Sequence, residues 1–243
     1  MTYIVYDGKT LIADKLMSQG VGSYALGRKP RTAGGFVVNR PGKKVDVYYN
    51  DTEKVIFLRK GLYEGKEIKC LAMAGQIVNL GELISYLEQG HDLDHYLDCE
   101  AAVYPVKERR NFGPGNSITV VMKDGAGYNF HHVSDGIDRV MSSKGLIHGG
   151  AGVSWVNGIN PHLSTPLTAL EAFVIGSHYS SVVSEEFDYY CSVTNEYKKN
   201  QKLSMRQRES ILARVQSRFA LNGEVANENY VNLPFTNIIK KAD

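Results

Sequence analysis

The chain has 243 residues, 43% hydrophobic and 22% charged. That excludes a disordered polymer and leaves room for one large domain or two small ones. Its formal net charge of +2 gives no field that would by itself recruit nucleic acid or anionic lipid.

Tyr3 to Tyr6 is β-branched and aromatic, Asp7-Gly8 supplies a turn, and residues 10–13 resume as a strand, so a hairpin is predicted at the very start. Residues 18–41, rich in Gly, Arg and Lys, read as an extended excursion. Strands are expected at 45–49, 54–58 and, after the 61–65 turn, at 68–72. Ile77, Leu80, Ile84 and Leu87 recur at helical spacing, predicting a helix over 76–89 that Gly90 closes. A second hairpin spans 117–122 and 128–133 around Asp124-Gly125. Thr165-Pro166 reads as an N-cap followed by a first-turn proline, opening a helix to about 183. A strand follows at 187–193. Ser204 and Gln207 form a capping box for a last helix with Ile211, Val215 and Phe219 on one face. The order predicts two packed sheets with helices outside, in one domain over 1–243 with a helical extension from about 204 to 243.

Cys70, Cys99 and Cys191 lie far apart with no CxxC spacing, which fits buried thiols in a reducing compartment. No apolar run approaches the roughly 20 residues needed to cross a bilayer. The first residues, with Asp7 and Asp14, do not form a secretory signal. A soluble, cytoplasmic protein with no membrane partner is expected.

Thr2 is the residue with the clearest chemical potential. If Met1 is removed, its hydroxyl shares a residue with a free α-amine, whose ordinary pKa of about 7.7–8.0 leaves a sizeable unprotonated fraction near neutrality. Such an amine takes the hydroxyl proton directly or through one water, so a single residue is both nucleophile and base. With Met1 attached, the amine is an amide and the internal base is lost. The plain alternative is that threonine is simply a common second residue.

Thr10 to Asp14 ends a strand with a carboxylate, Lys54-Val55-Ile56 begins one with an amine, and Met73-Ala74-Gly75 precedes a helix. In this order the chain resembles the proteasome β-subunit and HslV family of threonine proteases, with the N-terminal third carrying most of the likeness. Ile147 to Gly150 and the 165–183 helix extend it weakly. The Tyr6 to Leu11 hairpin is most similar to phage-encoded members. The resemblance implies an α+β fold, a four-layer αββα sandwich of the N-terminal-nucleophile (Ntn) hydrolase class. It also implies Thr2 as nucleophile, Lys54 as the cation that eases hydroxyl deprotonation, and Asp14 as its anchor. The Gly75 N–H becomes the oxyanion donor. Lys60 is the second choice for the lysine.

The implied reaction is acyl transfer on a peptide or unfolded-protein substrate, with no metal or organic cofactor, in a homo-oligomeric ring or stack. There are departures. The family places a serine where this chain has His148-Gly149, and an aspartate near 176–181, where only Ser177, His178, Ser180 and Ser181 stand. A catalytically inactive protein of the same fold with a structural or assembly role is therefore the rival reading.

Weaker signals point elsewhere and are outweighed. His91 and His95, with Asp98 and Cys99 a turn later, have a metal-ligand spacing but follow Gly90 and lack an HExxH glutamate, so a solvated turn is expected. His131 and His132 are adjacent in a strand and face opposite sides. Gly149-Gly150-Ala151-Gly152 lacks the residues of a phosphate cradle and reads as close sheet–helix approach. The basic stretches 28–31, 43–44 and 107–110 match no nucleic-acid motif. Trp155 and the tyrosines are expected in core and interface packing.

Overall fold

Tyr3–Tyr6 (β1) and Thr10–Asp14 (β2) pair as the N-terminal hairpin. Gly8 takes φ +89°, and Asp7 Oδ1 accepts the N–H groups of Lys9 (3.0 Å) and Thr10 (2.8 Å). The other Asp7 oxygen accepts the Ala169 N–H at 2.8 Å, so the same turn caps a helix far along the chain. The computed structural model describes residues 2–21, 36–39, 45–49, 54–74, 80–97, 117–133, 136–142, 145–180 and 183–220.

The remaining strands are β3 (Met17–Val21), β4 (Phe36–Asn39), β5 (Val45–Tyr49), β6 (Val55–Phe57), β7 (Leu62–Tyr63) and β8 (Lys66–Ala74). They continue as β9 (Ser117–Met122), β10 (Gly127–Val133), β11 (Gly136–Met141), β12 (Ile147–Gly150), β13 (Glu186–Cys191) and β14 (Glu196–Lys202). The helices are α1 (Leu80–Glu88), α2 (Val153–Ile159), α3 (Ala169–Tyr179) and α4 (Met205–Ala220), with a helical turn at 93–97. One antiparallel sheet runs β12-β1-β2-β13-β14. A second runs β11-β10-β9-β8-β6 with β7 beside β8, and β3-β5-β4 form a third.

Period-two alternation decides what each face meets. Ile4, Tyr6, Leu11 and Ala13 of the first sheet bury against Val55, Cys70, Ala72, Ala74 and Val121 of the second. Tyr3, Val5 and Ile12 point the other way, into a core with Phe173 and Val174 of α3, Val156 of α2, and Val215 of α4. The far face of the second sheet, through Leu71, Ile118, Val120 and Phe130, meets Leu83 and Leu87 of α1.

These observations correct the expected four-layer αββα sandwich. The described residues carry more strand than helix, in two large antiparallel sheets and a small third one, with few helices. Helical spacing predicts more helix than forms at α3, which is 11 residues long within the expected 165–183; residues 75–79, at the expected start of α1, lie outside the described residues. Thr165-Pro166 is not the start of α3. Asn160 Oδ1 takes the Leu167 N–H at 2.9 Å, and Thr168 is the N-cap.

Glu171 completes that cap. Its carboxylate accepts the Thr168 N–H at 3.0 Å, while the Thr168 hydroxyl accepts the Glu171 N–H at 3.3 Å. Its side chain, 4% exposed, also pairs with Arg214 Nε (3.1 Å) and Arg218 Nη2 (2.8 Å), docking α4 onto α3. Burial pushes the acid upward, but the Thr168 and Arg218 donors prevail and hold it below its ordinary 4.5. A depressed carboxylate contributes stability above its unfolded value and loses it as pH falls through the folded one. Glu171→Gln should therefore cost about 1–3 kcal/mol in urea denaturation at pH 7. It should also show a flatter loss of stability than the native chain below pH 4.5.

Candidate active site

Asp14 ends β2 fully buried and serves as the hub of the site. Its Oδ1 accepts the Tyr3 N–H at 2.9 Å and the Lys54 ammonium at 2.6 Å. Its Oδ2 accepts the N–H groups of Leu16 (3.3 Å) and Ser184 (3.2 Å). One oxygen thus joins the peptide immediately after Thr2 to the lysine ammonium. Lys54, just before β6, also donates to the Leu16 carbonyl, so the last residue of β2 supplies it with a charge and the link that follows supplies a backbone acceptor. Lys60 is exposed in the turn beyond β6, away from these buried groups.

Burial pushes the Lys54 ammonium below the ordinary lysine range, and the adjoining Asp14 charge opposes that shift. Burial likewise pushes Asp14 up, against Lys54 and the Tyr3 and Ser184 N–H groups.

Thr2 is 8% exposed. The Ala151 N–H donates to its carbonyl at 2.9 Å, and Tyr3 pairs with Gly150 in the β1–β12 ladder. Gly150 takes φ +99°, and a Cβ there would stand 1.7 Å from the Thr2 oxygen. The glycine-rich segment is therefore a seat for the N-terminal backbone, as the expected close approach requires. The Tyr3 ring fills space that glycine leaves in α3: a Cβ at Gly176 would come within 2.6 Å of it.

The positions where a supporting serine and aspartate were sought hold other groups. His148 faces the Tyr3 ring edge-on and shares a 2.9 Å hydrogen bond between Nε2 and Asn157 Oδ1; burial lowers its pKa. Gly149 lies against the Ser117 hydroxyl, which is bound to Asn129 at 2.9 Å, while Asn129 also donates to Thr119 at 2.6 Å. Within α3, Ser177 bonds back to the Val174 carbonyl, and beyond the helix Ser184 supplies its backbone N–H to Asp14. Gly75 lies outside the described residues.

Sequence reasoning missed a second buried ion pair beside the first. Lys15, adjacent to Asp14, reaches Asp188 of β13 at 3.1 Å, with side chains 4% and 0% exposed. The only cue was the run Asp14-Lys15, in which a charge follows a buried strand without a turn residue.

Among the described residues no group of three or more His, Cys, Asp or Glu could hold a metal ion, and Asp98 and Cys99 lie outside them. His91 instead packs on Tyr86 at 4.4 Å, and Asp92 caps the Glu64 and Gly65 N–H groups at 3.2 and 2.9 Å. Residues 28–31, 43–44 and 107–110 also lie outside the described residues. Trp155 is 38% exposed beside Tyr179, so it is a surface group and not core. Among the described residues no helix is long and apolar enough to cross a membrane.

No family model matches the chain, and no curated protein matches it. Among solved structures it is similar to Anbu (ancestral beta-subunit) from Yersinia bercovieri, at 10% identity and TM-score 0.39, covering 96% of this chain and 98% of that one. A helical assembly of the Anbu complex from Pseudomonas aeruginosa matches at 11% identity and TM-score 0.45, over 89% and 95% of the two chains. Anbu from Hyphomicrobium sp. strain MC1 matches at 10% and 0.35, over 95% and 97%. These findings correct the expected resemblance to the proteasome β-subunit and HslV family: the similar structures are Anbu proteins, a distinct proteasome-like family. With TM-scores below 0.5, the likeness carries no argument about activity or assembly.

Proposed function

We propose that the chain is an N-terminal-threonine peptidase that cleaves peptide bonds by acyl transfer through Thr2. The observation that carries this reading is the single Asp14 oxygen shared by the Tyr3 N–H and the Lys54 ammonium. It fixes the backbone that bears Thr2 and pins a cation next to it.

Once Met1 is removed, the Thr2 amine takes the hydroxyl proton as the oxygen attacks the scissile carbonyl. The tetrahedral oxyanion collapses, the C–N bond breaks, and the leaving amine takes the proton back. Water, deprotonated by the same amine, then hydrolyses the ester to Thr2 and releases the acid. Lys54 stabilises the developing negative charge on the Thr2 oxygen, and Asp14 holds Lys54 in place. The Gly75 N–H, directly after β8, is assigned the oxyanion. No metal or organic cofactor takes part. The substrate is a peptide or unfolded protein. Self-association is part of the proposal, with the exposed Trp155 ring beside Tyr179 as a supporting surface.

The test is intact-mass analysis followed by reaction with a peptide epoxyketone. The expected result is a mass lacking Met1 and one label per chain on Thr2, abolished by Thr2→Ala. Protein that lacks Met1, is folded and takes no label overturns the peptidase reading in favour of a structural or assembly protein.

A further inference from the structure

Three consecutive residues at the end of β2 are all buried: Asp14 at 0%, Lys15 at 3% and Leu16 at 6% exposed. The outer two hold Lys54, through the Asp14 carboxylate and the Leu16 carbonyl. The middle one is tied to the neighbouring strand β13. Its N–H donates to the Glu186 carbonyl at 3.0 Å, and its ammonium contacts both Asp188 oxygens at 3.3 and 3.1 Å.

Asp188 is supported as closely as Asp14. It is fully buried and accepts the Tyr197 hydroxyl at 3.4 Å and the Asn200 N–H at 3.0 Å. That last bond depends on an irregularity. The β13–β14 register shifts between Phe187 and Tyr189, and Asn200 adopts φ +52°, a left-handed conformation that costs most residues but suits asparagine. The sheet gives up regular pairing at the one point where its extra N–H reaches the carboxylate.

We infer that Lys15 and Asp188 are positioning residues for Lys54: the pair clamps the β2 end that carries both Lys54 acceptors, and its two charges balance beside the ammonium. This deepens the Thr2 reading and rests on it. Among the described residues, the charges around Lys54 are Asp14 and Lys15 from the β2 end and Asp188 from β13, with the Tyr197 hydroxyl of β14 bound to Asp188. Lys15 pushes the Lys54 ammonium toward losing its proton, and Asp188 opposes it.

The experiment is NMR titration of the Lys54 side chain in protein carrying 13C-labelled lysine, in the native chain and in Asp188→Asn, Lys15→Met and the double variant. Asp188→Asn should lower the pH at which Lys54 loses its proton, and Lys15→Met should raise it. Each shift should be at least about half a unit, roughly threefold in the protonation equilibrium. The double variant should return close to the native value. If both single variants leave Lys54 unmoved, or move it the same way, the inference is overturned. Lys15→Met alone decides it should Asp188→Asn not fold. The pH profile of Thr2 labelling by the peptide epoxyketone should follow the same two directions. A native chain that takes no label defeats the Thr2 reading, while the lysine titration still judges the pair.

Discussion

Asp14→Ala should destabilise the chain by about 3–5 kcal/mol, measured by urea denaturation at neutral pH, because it leaves a buried ammonium without its counter-charge. Lys54 is 6% exposed at its side chain and, among the described residues, has only the Leu16 carbonyl as its other acceptor. The same change strips acceptors from three backbone N–H groups, those of Tyr3, Leu16 and Ser184, which belong to three different segments. Removing both charges as Asp14→Leu with Lys54→Met should recover part of the loss, since no unpaired charge then remains inside. A cost of less than about 1 kcal/mol for Asp14→Ala would mean that water reaches Lys54, in contradiction to its burial. Thr2 labelling should vanish in both variants, because the alignment of Tyr3 disappears with the carboxylate.

Some of this was legible from residue order. The Asp7-Gly8 turn, the β-branched and aromatic run of β1, and the Ser204–Gln207 cap are local signals, and each appears with the expected partners. Asp14 and Lys54 were named as a pair on resemblance, and the structure brings them together across 40 positions of sequence. What stayed hidden is what depends on distant strands. β14 reads Glu196-Tyr197-Lys198-Lys199-Asn200, a polar run with no strand pattern, because it is a solvated edge whose form is imposed by β13. α2 follows glycines and contains Ser154 and Gly158, so its propensity is poor; packing of Val156 and Ile159 against the sheet decides it. Lys15 carries no local signal of its buried partner, which β13 brings from far along the chain. β3, within the stretch read as an excursion, is likewise paired by β5, far along the chain.

The four-layer expectation failed for a related reason. Apolar spacing at 77, 80, 84 and 87 shows which face of a segment is buried but not where the helix stops, and α1 ends at Glu88, just short of the expected bound. Helix length is set by what each end meets. At α3 the entry is held by Thr168 and Glu171 and by the distant Asp7, none of which the local Thr165-Pro166 signal contains. The family resemblance had rested on short motifs in order. Those motifs fix a set of neighbours around Asp14, which is a narrower statement than a fold or a lineage.

Gly150→Ala should have the second large effect, and a control separates its two causes. A methyl at Gly150 would stand 1.7 Å from the Thr2 oxygen and 2.7 Å from the Thr2 carbonyl carbon, both rigid backbone atoms, and would also have to adopt φ +99°. No flexible side chain is among the nearest atoms, so β1 or β12 must move and the Tyr3 to Gly150 pairing must open. The expected cost is about 2–4 kcal/mol in thermal or urea denaturation. Gly145 has a similar φ of +117° with nothing within 4 Å of its absent Cβ, so Gly145→Ala should cost only the conformational part, about 1 kcal/mol. The difference between the two isolates the contact with Thr2. It should reappear in chemistry: Gly145→Ala should label with a peptide epoxyketone at the native rate, whereas Gly150→Ala should lose labelling by about 100-fold or more, as displacement of a nucleophile by an ångström does. Equal losses of stability and equal labelling in the two variants would show that the glycine-rich segment does not seat the N-terminus, and the role given to Thr2 would lose its structural basis.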